Sequence, residues 1–388
     1  MTLKPIGRLG AASPGGLALP SATPSPVNLY APRGVALRDG RLAVCDSGNH
    51  RVLVWQVPYD RASPAAEIVL GQADFTCEGP AAAGRGPENG FHLPTGILFV
   101  DGRLVVADAW HHRILVWRGV PDASDTPPDY AIGQADLSAT LPNRGGGPGL
   151  DTLYWPYGIG WIAGRFYVAD TGNRRILVWD GFPDADRPAD ACFGQPAPDA
   201  REENRGGPVG PCSFRWPHDF AGNDEWLFVA DAGNHRILGW RGHPDRDRPA
   251  DVVLGQPTME EAREFPYDAQ GPCRLRFPYG IALWHMWLAV ADTANNRILF
   301  WKLPLEEPFG PPASEVLGQH DFAGNGENRW DAVAPDSLCW PYGLDLAGGH
   351  LAVADSGNNR VVLWDCRDLV EKELADVPGG AGSSRIDL

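Results

Sequence analysis

No stretch of the chain approaches the roughly 20 consecutive apolar residues of a membrane-spanning helix, although 43% of its residues are hydrophobic. The opening Met1-Thr-Leu-Lys-Pro-Ile-Gly7 holds no apolar run of the kind a secretory leader uses. Positive charge is in deficit: 33 Lys and Arg stand against 49 Asp and Glu, for a net charge of −16. A body of that sign is repelled by phosphate backbones and anionic lipid, so neither nucleic acid nor membrane is an expected partner. The seven cysteines are odd in number and scattered. Without an export signal they read as thiols of a cytoplasmic protein, which we expect to be a monomer. Absent too are a Gly-rich phosphate loop, a His-Glu-x-x-His helix, a Gly-x-Ser-x-Gly elbow and a Cys-x-x-Cys pair. These absences weigh against an enzyme without excluding one assembled from scattered loops.

What is present is repetition. The stretch Asp46-Ser-Gly-Asn-His-Arg51-Val-Leu-Val-Trp55 returns at Asp108 to Trp117, Asp170 to Trp179, Asp231 to Trp240, Asp292 to Trp301 and Asp355 to Trp364. Successive copies lie 61 to 63 residues apart. Pro32, Pro94, Pro156, Pro217, Pro278 and Pro341 keep the same beat, usually before Tyr-Gly, and so does a Gly-Gln ending at Gln72, Gln134, Gln195, Gln256 and Gln319. Six units at one period predict one repeat-built domain over residues 1–388 rather than two or three separate ones.

Each unit reads as four short strands. In the third, Pro156-Tyr-Gly-Ile-Gly-Trp161 starts at a proline, where a missing N–H does no harm. Arg165 to Asp170 follows, then a tight turn at Thr171-Gly-Asn-Arg174 in which Gly-Asn is expected to supply the positive φ. Arg175-Ile-Leu-Val-Trp179 is apolar on both faces and should be buried on both. A fourth strand ends at Cys192-Phe-Gly-Gln195. Four-stranded units of this kind form a closed ring or an open stack. Lys4-Pro-Ile-Gly-Arg8 looks like the Gly-Gln end of a unit, with residues 1–31 as closing strand and loop. We therefore expect an all-β ring of six four-stranded antiparallel blades, closed by pairing the N-terminal strand with the last blade. Glu373-Leu-Ala-Asp-Val377, in the tail 366–388, is the second choice for that strand.

These words, Val-Ala-Asp followed by Gly-Asn-His-Arg-Ile and preceded by Pro-Tyr-Gly-Ile, resemble the NHL repeat in all six copies. The resemblance implies a six-bladed β-propeller. It implies little about activity, because NHL propellers include RNA-binding and protein-binding modules, bacterial sensor domains and a lyase.

The repeated Asp and Arg, and the six tryptophans ending the words, suit a skeleton. His50, His112 and His235 share one repeat position and read as turn residues. The connections from third to fourth strand hold 14 Asp/Glu against 4 Arg, most of the chain's net charge. The opposite face should carry the Asp-x-Gly-Asn turns and the long loops after Gly-Gln, with Arg85, Arg144, Arg205, Arg263 and Arg329, and with Cys77, Cys212, Cys273 and Cys339. Asn-Arg recurs there at Asn143, Asn204 and Asn328. It is either a loop-folding device or an arginine-lined mouth for a small anion or acidic peptide.

The informative positions are those that leave the chain's own consensus. Trp110-His111 replaces Gly-Asn in the second copy. His218-Asp219 replaces Tyr-Gly in the fourth, where the other copies have Arg33, Thr95, Tyr157, Tyr279 and Tyr342. These residues describe an aromatic, hydrogen-bonding funnel. In the family's peptidyl-hydroxyglycine amidating lyase, similar Pro-His words supply zinc ligands at the channel mouth. The resemblance thus points to His218 as a ligand for zinc or another soft divalent metal, and the positions of His92, Cys212 and Cys273 in this sequence offer further ligands for a mixed Cys/His site. The several-histidine set of that lyase is missing here, and a catalytic zinc needs three ligands. The expected function is a binding module that takes a protein segment or small ligand at the channel mouth and long-loop face. A metal-dependent lyase or hydrolase using His218 is the alternative, and a soft-metal or thiol-linked role of the loop cysteines a third.

Overall fold

The computed structural model describes residues 3–13, 20–56, 63–264 and 266–369. Every strand within them belongs to one of six four-stranded antiparallel sheets. Blade 3, for example, runs Pro156–Ile162, Arg165–Asp170, Arg175–Asp180 and Ala191–Phe193, each strand paired with the next. The first strands of neighbouring blades pack side by side round an axis, blade 6 against blade 1. Closure follows expectation. Lys4–Leu9 pairs antiparallel with Arg360–Asp365, from Lys4 opposite Asp365 to Leu9 opposite Val361. The rival strand at 373–377 lies outside the described residues.

The third strands are buried on both faces. Trp55, Trp179, Trp240, Trp301 and Trp364 are among the largest fully buried side chains. In blades 1 to 5 the indole N–H donates to a carbonyl in the loop joining strands three and four, as Trp179 does to Arg187 O at 3.1 Å. Blade 6 has no such loop, because its fourth strand comes from the other end of the chain. There the Trp364 N–H has no partner among the described residues.

The repeated Asp and Arg form the skeleton. Asp46 Oδ2 takes Arg51 Nε at 2.7 Å, and the other five copies match within 2.6–2.9 Å. The second oxygen accepts the N–H of the residue 16 positions upstream, Tyr30 in blade 1 and Tyr154 in blade 3. The guanidinium's outer nitrogens donate to long-loop carbonyls, as Arg51 does to Phe75 and Asn28. One buried ion pair thus fastens the turn, the entry to the first strand and the long loop. The Gly-Gln glutamine adds a latch: Gln72 Nε2 donates to His50 O and Gly79 O.

The turn departs from expectation in one respect. The left-handed residue is the one after Gly-Asn: His50, His112, Arg174, His235, Asn296 or Asn359, at φ 51–58°. Glycine is needed for a different reason, since a Cβ on Gly48 would stand 2.5 Å from the Tyr30 ring. The turn residue's side chain then reaches the next blade. His50, His112 and His235 accept, at Nδ1, the N–H groups of Leu93, Trp155 and Phe277 at 3.1–3.2 Å. Asn296 and Asn359 accept those of Trp340 and Ala31 through Oδ1.

Candidate functional site

In blades 2 to 6 the first strand begins at its proline, paired with the Asp of the turn, and in blade 1 it begins at Val35, three residues after Pro32; the residue after each proline stands where the axial channel opens on the long-loop face. Five of these residues form a continuous ring. The Arg33 guanidinium donates to the Tyr157 hydroxyl at 2.8 Å. Ring centroids then follow at 4.5 Å (Tyr157–His218), 4.3 Å (His218–Tyr279) and 4.8 Å (Tyr279–Tyr342). Arg33 closes the circle 5.1 Å over Tyr342. It reaches from blade 1 to blade 3 because Thr95, between them, is small. Thr95 turns its hydroxyl to Tyr157 O instead.

His218 is neutral at ordinary pH. Burial pushes its pKa down to about 4, and the positive Arg33 adds to this. Nδ1 lies 2.8 Å from Trp216 O, so it carries the proton and leaves Nε2 as a bare acceptor. Beneath the ring is a cavity of about 270 Å³ walled by the first strands of all six blades. Asp219 stands in it where the other copies have glycine. Elsewhere a Cβ at that place would come within about 2.0–2.5 Å of the neighbouring blade's carbonyl, as Gly158 would to His218 O. Blade 4 accommodates the side chain, and Asp219 Oδ2 accepts the Ile281 N–H of blade 5 at 3.2 Å. Burial raises the Asp219 pKa to about 8.

Asp345, also on the cavity wall, escaped the sequence reading. Burial raises its pKa to about 6, and its Oδ2 accepts the Leu37 N–H at 2.7 Å. The signal was available, since the fifth position of the first strand is Ala, Leu or Gly in the other copies. A collar round the mouth was missed as well. Ala31, Leu93, Trp155, Trp216, Phe277 and Trp340, each just before the proline, are all left-handed, at φ 45–59°. Bulky residues hold that conformation at a cost of about 1–3 kcal/mol each.

Trp110 joins this surface. It is 40% exposed and meets Trp155 edge-on at 5.1 Å, and Trp155 in turn lies 6.2 Å from Tyr157. His111 does not join it. It is buried, with Nδ1 2.8 Å from Asp108 Oδ2, the place Asn49 Nδ2 takes against Asp46. It replaces a scaffold asparagine.

The arginine-lined mouth is corrected. Arg144 pairs with Asp151 and Asp186, Arg205 with Asp247, and Arg329 with Asp336. Asp186 and Asp247 come from the acidic connections of the following blade, as does Asp125, which pairs with Arg85. Those acids therefore serve as clasps between blades. Asn143 is bonded in both directions to Asn173, which makes the Asn-Arg word a loop-folding device.

The metal set is not assembled. Among the described residues no three His, Cys, Asp or Glu side chains gather round a point that could hold an ion. His92 packs on His50, Trp110 and His111, away from the His218 ring contacts. Cys212 and Cys273 belong to separate long loops, and burial raises both thiols. Burial also holds Cys192 at about 11 and Cys339 and Cys366 at about 12. All seven cysteines are free thiols. Nor is any helix of the described residues long and apolar enough to cross a membrane.

The family profile of the NHL repeat matches residues 29–55. No curated protein matches the chain. Among solved structures the chain is similar to virginiamycin B lyase from Staphylococcus aureus, at 12% identity over 94% of this chain and 99% of that one, with a TM-score of 0.44. It is also similar to a chain of a nidogen–laminin complex, at 14% identity over 84% and 85%, with a TM-score of 0.45. The matched word recurs at one period through six blades of four strands each, and the chain is a six-bladed β-propeller whose residues 29–55 match the NHL repeat.

Proposed function

We propose that the protein is a binding module that receives a protein segment or small ligand at the channel mouth on its long-loop face. One observation carries this reading. Arg33, Tyr157, His218, Tyr279 and Tyr342, from five different blades, close a ring over a cavity. None of the five belongs to the Asp–Arg–Gln fastenings that hold the blades. Aromatic side chains around a concave opening, with a few convergent polar groups, are the usual make-up of a ligand site. The strained collar and the half-exposed Trp110 extend the contact surface outward from that ring.

Native mass spectrometry of the full chain, purified from its own cells, tests the reading. We expect a bound species that is lost in Tyr279→Ala while the melting temperature changes by less than a few degrees. Equal retention of the species by wild type and variant, or no bound species in either, overturns it.

A further inference from the structure

We propose that the cavity beneath the ring takes a primary alkylammonium group, with the ammonium on Asp219 and Asp345 and the alkyl stem against the apolar channel wall. The proposal rests on the reading of the mouth as a ligand site and names what that ligand must present.

Two carboxylates line one cavity without an ion-pair partner among the described residues. Asp219 Oδ2 holds the Ile281 N–H, and Asp345 holds the Leu37 N–H on Oδ2 and the Leu346 N–H on Oδ1; a carboxylate oxygen has two lone pairs, so both residues keep accepting capacity beyond those bonds. Asp345 adds to the burial cost of charging Asp219, and Arg38 offsets only part of the burial cost of charging Asp345. A positive guest relieves both costs at once. His218 is an independent pointer. It is nine-tenths buried and lines the same cavity, and its Nε2 lone pair has no partner among the described residues. Two carboxylates and a bare imidazole nitrogen make a lining rich in acceptors, which calls for a guest rich in donors. An ammonium brings three N–H donors and one positive charge.

A bare metal ion fits less well, because these groups do not converge on one point. A chain-like cation reaches groups at different depths. Its stem would lie along Ile159, Ile281 and Leu344, which line the walls between. The rim itself tolerates a cation, since Arg33 already rests over the faces of Tyr342 and Tyr157 at 5.1 and 5.9 Å. Arg33 is therefore the built-in competitor of the guest. A lysine side chain of a protein segment and a free alkylamine present the same chemistry.

The test titrates the full chain calorimetrically at pH 8.5 with n-pentylamine, with Nα-acetyl-lysine amide and with 1-pentanol as the uncharged control. We expect both amines to bind and the alcohol to bind at least tenfold more weakly. Asp219→Asn, which keeps an oxygen for the Ile281 N–H, and Asp345→Asn, which keeps one for only one of the Leu37 and Leu346 N–H groups, should each weaken the amines at least tenfold. Arg33→Met should tighten them severalfold. Amine affinity should fall from pH 8.5 to pH 6 as the carboxylates take up protons. Tighter binding of the lysine derivative identifies a protein segment as the source, and tighter binding of pentylamine a free amine. Equal binding of amine and alcohol, no amine binding, or unchanged affinity in folded Asp345→Asn overturns the proposal. If Tyr279 still governs a bound species while amines fail, the channel inference falls and the mouth reading stands. If amines bind while no Tyr279-dependent species is found, the reverse holds.

Discussion

Replacing His112 with asparagine should remove a defined share of the protein's sensitivity to acid. His112 Nδ1 accepts the Trp155 N–H at 3.2 Å and so ties blade 2 to blade 3. Only the neutral imidazole can accept there. Burial pulls the pKa from 6.5 to about 4, with His111 and His92 pushing down and Asp108 pulling up, while Tyr154 packs on the ring at 5.3 Å. The folded-state pKa lies below the unfolded one, so this stability is complete above pH 6.5 and is lost as pH falls towards 4. A difference of about 2.5 pKa units corresponds to about 3 kcal/mol once the group is charged in both states, and to about 2 kcal/mol at pH 5. Asparagine holds the same place in blades 5 and 6, accepts the same N–H through Oδ1 and tolerates the left-handed backbone.

Urea denaturation at pH 7.5 and pH 5.0 measures the difference. Other acid-sensitive groups, including His50 and His235, act equally in wild type and variant and cancel between them. The variant should match wild type to within about 1 kcal/mol at pH 7.5. On going to pH 5.0 it should lose about 2 kcal/mol less than wild type does, equivalent to about 2–3 °C in melting temperature for a chain of this size. Identical losses in the two proteins would refute the inference that His112 is held neutral by its place between blades. A variant weakened equally at both pH values would refute the equivalence of His and Asn as clamps.

Two further outcomes follow from the skeleton and from its strained exceptions. Arg113→Met leaves Asp108 charged and buried and strips donors from Pro87 O, Gly90 O and Leu137 O, so urea denaturation should show a loss of about 3–5 kcal/mol; a loss under 1 kcal/mol contradicts the fastening role. Trp330 is 79% exposed at φ 62°, where Gly145 and Gly206 sit in two other loops, so Trp330→Gly should leave stability unchanged or raise it by about 1 kcal/mol by the same measurement, and a loss above 1 kcal/mol would show that the indole is structural.

The blades were legible because they are periodic. One ten-residue word carries an ion pair, a turn and a buried indole, and six copies of it leave little choice of architecture. Lys4–Leu9 was legible as the missing strand because Gly7-Arg8 keeps half of the Gly-Gln word. The long loops were harder, because Arg85, Arg144 and Arg205 pair with acids about 40 residues away, and no local pattern shows that Arg144 meets Asp186 rather than a ligand. His111 misled for a related reason. An imidazole Nδ1 and an asparagine Nδ2 can both reach a carboxylate three residues back, so a change of residue type left the bond intact. Convergence in space was out of reach of spacing. His218 and Cys212 are six residues apart and do not share a site, while Arg33 and Tyr157, 124 residues apart, are hydrogen-bonded.

Departures from the repeat therefore divide by what the scaffold does with them. His111 takes over an existing bond, and Thr95 makes room for a neighbour's guanidinium. Asp219 and Asp345 do neither. Small or apolar residues hold their places in the other copies, and their raised pKa values mean that ionising them at neutral pH works against folding. The sign is opposite to that of His112: for both carboxylates the folded form is favoured at low pH and loses stability as pH rises from 3.8 towards about 8 for Asp219 and about 6 for Asp345. Burial raises five of the skeleton aspartates as well, but each of those has its arginine, whereas the two carboxylates without an ion-pair partner among the described residues stand in one cavity, under one ring, on the axis that every blade faces. Each acid returns to the scaffold only its bonds to neighbouring N–H groups, against a burial cost that a positive guest would relieve, and this supports the channel as the proposed ligand site.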